Sequence, residues 1–344
     1  MIKFQTTLLL LLTFYVGNLM ANEAHHDHDE HHHNWRLDTS AFKSTKMYNF
    51  TNLFDKNIKF LNSNITPLIF SLPKIEIDQK LFKEKMQMFS GALESEPGVF
   101  LKSRCGIKQI TPAVDFLQKE YEGLGYTTKK QSVGLTKKYL NFVAIKKGTA
   151  ENPKIIVVSS HIDSVCNAGA NDNGSGTISA MMIAKAIKDI DLKHTVYFVG
   201  FDNEESGMRG SKKVADIMAK KYKDRFIANI NIEMMATNSK KDKVFHVIDC
   251  DRDDSNYITD LFAANILKHG LSVKINEACT TRSDHSSFWN KKLPAVVISE
   301  NFFGGDSDRC YHRKCDVVDE RMDFGYMAEI TKATAYTIID LANK

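Results

Sequence analysis

Past the first two dozen residues, no stretch of this 344-residue chain reaches the ~20 consecutive apolar residues that a membrane-spanning helix needs. Charge of one sign is not in excess either: 46 Lys and Arg stand against 42 Asp and Glu, and the basic residues are scattered. Neither nucleic acid nor a membrane surface is therefore implied as a partner. The six cysteines contain no C-x-x-C pair, which argues against a zinc knuckle or a thioredoxin-like motif. No Gly-x-Ser-x-Gly elbow occurs, which disfavours serine hydrolase chemistry. What is present is a globular composition, 43% hydrophobic and 26% charged, with room for one large domain and a smaller appendage.

Lys3, the apolar run Leu8 to Val16 and the small and polar residues around Ala21-Asn22 have the layout of a signal peptide. The expected product is secreted or periplasmic, monomeric, and free of the membrane after cleavage; a retained anchor is the alternative. Next, residues 25 to 33 hold six of the twelve histidines, interleaved with Asp and Glu. Such a tract cannot build a core; it is either a disordered leader or a loose gatherer of metal. Residues 35 to about 75, broken by Pro67 and Pro73, read as a pro-segment or extension. The expected division is thus 1–21, signal; 22–75, His-rich tract and extension; 76–344, main domain. An even cysteine count in an exported chain permits disulfides, but their pairing stays open. Cys310 and Cys315 are close enough in sequence to close a small loop.

A helical rhythm starts at Leu81, and Thr111-Pro112 opens an amphipathic helix expected to end at Gly125. Apolar strands then alternate with amphipathic helices. The strand candidates are 139–146, 155–160, 195–201, 226–234, 244–248 and 295–299, and the helices 175–187, 210–222, 254–268 and 323 to the C-terminus. This pattern predicts an α/β fold, a mixed and largely parallel sheet sandwiched by helices in three layers. Ligands of such sheets bind beyond the carboxyl ends of the strands.

Chemistry-bearing residues fall at those ends. His161 and Asp163 close the strand 155–160, and their spacing puts both side chains on one face, so that Asp163 can serve the second nitrogen of a metal-bound imidazole. Asp172 sits in Asn171-Asp172-Asn173-Gly174-Ser175-Gly176, where a carboxylate could bridge two metals or simply cap a helix. Glu204 and Glu205 follow the strand 195–201; in extended chain, neighbours point oppositely, so one could bind metal while the other takes a proton from water. Glu233 ends another apolar stretch and needs a partner there. His285 in Ser283-Asp284-His285 and His312 in Tyr311-His312 could each complete a second site.

Taken in order, His-x-Asp, Asp-Asn-Gly-Ser-Gly, Glu-Glu-x-Gly, Asn-x-Glu-Met, Ser-Asp-His and Tyr-His resemble the zinc aminopeptidase family of the bacterial leucyl aminopeptidases, to which glutamate carboxypeptidases and glutaminyl cyclases are related. The resemblance covers roughly residues 80 to 344. It implies two zinc ions per chain, one on His161, Asp172 and Glu205, the other on Asp172, Glu233 and His312. It also implies Glu204 as general base, Asp163 as the carboxylate orienting His161, and His285 near the substrate. The implied substrates are peptides with free N-termini, the amino group lying near the second zinc.

Two departures stand out. Where this family commonly has aspartate, the chain has Glu233, and the proline-containing stretch after the last histidine is replaced by Arg313-Lys314-Cys315, while Asp316 remains. His285 is therefore kept as a substitute for His312. Two rival functions use the same residues: a glutaminyl-peptide cyclotransferase with a single zinc, and a non-catalytic zinc-binding protein. A carboxypeptidase or dipeptidase relative would often carry an inserted dimerisation domain, for which the chain has no room.

Overall fold

The computed structural model describes residues 74–344, apart from 135–138. The expected leader, the His-rich tract and the extension lie outside the described residues up to 73. Fifteen elements frame the site: α1 (Gln79–Phe89), α2 (Ile107–Gly123), β1 (Thr127–Val133), β2 (Tyr139–Lys146), β3 (Ile155–His161), α3 (Gly176–Ile187), β4 (Thr195–Phe201), α4 (Arg209–Lys221), β5 (Phe226–Glu233), β6 (Val244–Ile248), α5 (Asn256–Lys268), β7 (Lys274–Asn276), α6 (His285–Trp289), β8 (Ala295–Glu300) and α7 (Phe324–Asn343).

The strands form one mixed sheet in the order β1-β2-β4-β3-β5-β8-β6-β7. Its centre, β4-β3-β5-β8, is parallel. The outer pairs β1/β2, β2/β4 and β6/β8 are antiparallel. Central strands covered on both faces should read as continuous apolar runs, and β3 is buried at every position. Its Ile156 and Val158 join the cluster packed with α1, α2, α3, α5 and α7, while Ile155 and Val157 join the smaller cluster with α4 and α6. Each such side chain removed from water contributes about 1.5–3 kcal/mol. Two apolar clusters, one on each face, make the three layers.

The six expected strands and four expected helices are present with ends shifted by a residue or two. The early helix differs. It begins at Ile107, after Gly106 at φ 78°, so that Pro112 lies inside it. Pro112 cannot donate to the carbonyl of Lys108, and the neighbouring Thr111 hydroxyl donates to the carbonyl of Ile107 at 2.7 Å. The edge strands β1 and β7 escape the sequence pattern because β1 is largely polar and β7 spans three residues.

Candidate metal centre and active site

Three strand ends and two loops deliver the site. His161 is the last residue of β3 and Glu233 the last of β5, neighbouring strands of the parallel core. Their side chains meet, His161 Nε2 lying 3.1 Å from Glu233 Oε1 and 3.1 Å from Asp172 Oδ1. Across Asp172, His312 Nε2 lies 3.1 Å from Asp172 Oδ2 and 3.1 Å from Glu205 Oε2. Two groups of potential ligands result, His161-Asp172-Glu233 and Asp172-Glu205-His312.

This grouping corrects one expectation. The resemblance pairs His161 with Glu205 and Glu233 with His312; in the fold, His161 is with Glu233 and His312 with Glu205. Both β4 and β5 hydrogen-bond β3, but Glu233 is itself the last residue of β5, whereas Glu205 lies four residues beyond the end of β4, in a turn that brings it to His312. Asp172 belongs to both groups, with one oxygen toward each histidine. A second difference concerns Glu204 and Glu205, which do not alternate along extended chain. They lie in a turn entered through Asn203 at φ 64°.

Backbone conformations that side chains rarely adopt gather here, with Asn203, Met234 and His312 all at positive φ. Such residues cost on the order of 1–3 kcal/mol each and persist where surrounding bonds fix them. Those bonds are present. Asn173 Oδ1 accepts the N–H groups of Gly176 and Met234, and its Nδ2 donates to the carbonyl of Ile232. A Cβ at position 176 would lie 2.3 Å from Asn173 Oδ1, so only glycine fits. The Ser175 hydroxyl accepts from Met235 N–H, and Asn171 Oδ1 from Ala236 N–H. The Asn-Asp-Asn-Gly-Ser-Gly run is thus a lock between the Asp172 turn and the end of β5. On the opposite side, Asp316 accepts the N–H groups of Asn171 and Asp172 on its two oxygens, at 2.7 and 3.0 Å.

Asp163 stands 3.4 Å from His161 Nδ1 through Oδ1. Its two oxygens also accept the N–H groups of Glu204 and Glu205, so it orients the glutamate turn as well as facing the imidazole. Ser283 donates to Glu233 Oε2 at 2.7 Å, a partner that the serine in Ser-Asp-His could have suggested. His285 joins neither ligand group. It is fully buried, donates from Nε2 to the carbonyl of Thr280 at 2.9 Å and stands edge-on to Trp289.

Burial and crowding set the electrostatics. Burial, helped by Asp284, Glu233 and Glu205 and opposed by His161, pushes the Glu204 carboxyl up to about 9. Glu205 is pushed to about 8 by burial and then by Asp172. Asp172 goes the other way; burial alone would raise it, but its bonds to His161 and His312 hold it below the ordinary carboxylate range. Two imidazole nitrogens and converging carboxylate oxygens are the donor set that zinc takes, and Glu205 Oε1 is buried with no hydrogen-bond partner. These residues fit a pair of divalent ions.

Beside Glu233 opens a cleft walled by Met234, Ile248, Val297, Phe302, Phe303 and Tyr311, with Thr280, Arg282, Ser283 and Ser299 as its polar lining. Cysteine pairs 105–166, 250–279 and 310–315 are disulfides. The last closes the loop that presents His312.

Residues 141–338 match the family model described as peptidase family M28. The chain belongs to that family. Among relatives, aminopeptidase YwaD of Bacillus subtilis is 30% identical over 198 residues, covering 55% of this chain and 42% of its own length. The chain spans less than half the length of that relative. BSAP, a zinc aminopeptidase from Bacillus subtilis, aligns in structure with a TM-score of 0.55 and 25% identity over 60% of this chain and 50% of its own. A glutaminyl cyclase of Bacteroides thetaiotaomicron shares the fold, with a TM-score of 0.63 and 14% identity over 78% of this chain and 99% of its own. Fold alone does not separate the two chemistries. Among the described residues no helix is long and apolar enough to cross a membrane.

Proposed function

We propose that this M28 peptidase is an exported zinc aminopeptidase that removes single residues from peptides with free N-termini, working with two zinc ions and Glu204 as general base. The observation that carries the reading is Asp172, which offers one oxygen to His161 and Glu233 and the other to Glu205 and His312. A glutaminyl cyclotransferase with a single zinc has no need of a second donor group, and a binding protein has no need of a half-buried Glu204 that stands outside both donor groups. The three disulfides suit an oxidising compartment outside the cytosol, secreted or periplasmic.

His161, Asp172 and Glu233 would hold one ion, Asp172, Glu205 and His312 the other. Bound zinc supplies Lewis acidity, polarising a carbonyl and making water a usable nucleophile at neutral pH. Glu204, whose raised carboxyl two neighbouring cations would bring back to its ionised form, takes a proton from the attacking water and returns it to the nitrogen of the leaving amine. Asp163 holds Glu204 and Glu205 at fixed height through their N–H groups. The cleft beside Glu233 receives the N-terminal side chain, and its walls favour an apolar one.

The test is hydrolysis of a panel of aminoacyl chromogenic amides and their N-acetylated counterparts, before and after chelation and zinc return, with Glu204→Gln alongside. The reading requires zinc-restorable release from the free-amine substrates only, lost by at least a hundredfold in Glu204→Gln while that variant still binds zinc. No release by zinc-loaded wild-type protein would favour the cyclotransferase or a binding role.

A further inference from the structure

We propose that Arg104 is a positioning residue for the metal centre, a clamp that fixes the turn bearing His161 and Asp163 against the turn bearing Asp172. The proposal rests on the two-zinc reading above.

Arg104 is fully buried, and no carboxylate pairs with it directly among the described residues. A buried cation without partners is costly, and a guanidinium has five N–H donors to satisfy. Arg104 spends them on backbone carbonyls: Nε donates to Ile162 at 2.8 Å, Nη1 to Phe89 at 3.1 Å and Ala168 at 2.5 Å, and Nη2 to Gly169 at 2.7 Å. Its charged plane lies over the Phe89 ring, 4.6 Å from the centroid.

The choice of carbonyls carries the inference. Ile162 stands between His161 and Asp163, and Gly169 is three residues before Asp172. One rigid fork therefore sets the spacing of a histidine ligand and the shared carboxylate. Backbone bonds repeat the tie, since Arg104 N–H donates to Ser164 Oγ and Ser164 N–H to the carbonyl of Arg104, each at 3.2 Å. The Cys105–Cys166 disulfide spans the same two segments. Gly169 is shaped for this contact: at φ 53°, a Cβ there would come within 2.7 Å of Nη2.

Charge gives the clamp a second effect. Asp316, Asp163, Asp172 and Glu205 all act on the guanidinium, which burial draws down to about 10, so it stays ionised at neutral pH. The positive charge offsets part of the repulsion among carboxylates that must stand together to receive metal.

Arg104→Lys and Arg104→Gln in the full chain test this. Zinc affinity and stoichiometry are measured by competition with a chromogenic chelator, and unfolding midpoints are recorded with and without zinc. Removing a partner that orients metal ligands weakens metal binding about 10- to 100-fold. The expected result is a loss in that range for Arg104→Gln, with a smaller loss for Arg104→Lys, at temperatures where both are folded. A lowered unfolding midpoint with unchanged zinc affinity would make Arg104 a structural brace only and overturn the proposal. Should the glutamine variant not fold, the same comparison on the lysine variant decides. Wild-type protein that takes up no zinc overturns the two-zinc reading and this inference with it, an outcome distinct from equal affinities in wild type and variants.

Discussion

Asp163 and Glu204 are joined through the backbone rather than through their side chains: Asp163 Oδ1 accepts the Glu204 N–H at 3.1 Å, while Oδ2 accepts that of Glu205 at 3.2 Å. One carboxylate thereby links the β3 end to the turn that carries both glutamates. Asp163→Asn keeps the size but replaces one acceptor with a donor, so one of those N–H groups loses its partner. Catalytic efficiency should fall about 10- to 100-fold, as for other groups that orient metal ligands. Steady-state kinetics on one chromogenic amide, paired with zinc content, checks it; unchanged kinetics in a zinc-loaded variant would reduce Asp163 to a bystander.

Asp316 performs the matching task for Asp172. Its two oxygens receive the N–H groups of Asn171 and Asp172, and all three residues are buried. With Asp316→Asn, one buried N–H is left facing a donor, a cost of about 1–3 kcal/mol. The expected outcome is a lower denaturant midpoint together with weaker zinc binding, because the displaced residue is the proposed shared ligand. Chelator competition and urea unfolding on the same preparation separate the two effects.

The strands of the parallel core were legible because their apolar runs have no other reading once helices flank them: β4 begins and ends at the expected residues, and β3, β5 and β8 differ from expectation by one residue at one end. The five candidate ligands stood out in the sequence through type and position, each at or beyond the end of an apolar strand or in a loop with too much chemistry for a solvated turn. Their grouping did not, since where the Asp172 and His312 loops carry their side chains is set by long-range contacts and is not written in local pattern. The interlocks were also hidden. Nothing in the spacing of Asn173, Ser175 and Asp316 announces that they tie the Asp172 turn to segments 60 and 144 residues away. His285 was expected near the substrate, with ligation only as a substitute role; it is enclosed by Trp289 and bonds the carbonyl of Thr280, a residue of the cleft wall, which local sequence does not reveal.

Glu233 can be probed through its neighbour. Ser283 donates to Glu233 Oε2, and itself accepts from Asn231 Nδ2 at 2.9 Å, so the longer glutamate is steered by a short chain of bonds. In Ser283→Ala the carboxylate loses that restraint. One zinc should bind about tenfold or more weakly while the other keeps its affinity. Two-step chelator titration resolves the sites; equal weakening of both would contradict the assignment of Glu233 to the His161 group.

His285 makes a prediction about pH. Burial pulls its imidazole down to about 4, and a proton added at Nδ1 would find no acceptor, since that buried atom has no partner. Unfolded, the ring titrates near 6.5. The folded chain therefore binds fewer protons than the unfolded one between those values, so stability falls as pH is lowered from about 6.5 toward 4, by up to about 1.4 kcal/mol per pH unit. Glu300, fully buried and pushed up to about 8, acts in the opposite sense, its contribution being lost as pH rises from the ordinary glutamate value through 8. The two are separated by difference. His285→Gln keeps a donor for the Thr280 carbonyl and cannot titrate, so the unfolding free energy of wild type relative to this variant should drop between pH 7 and pH 5. If that difference stays flat with pH, the imidazole titrates alike in the folded and unfolded chain, and burial does not lower it.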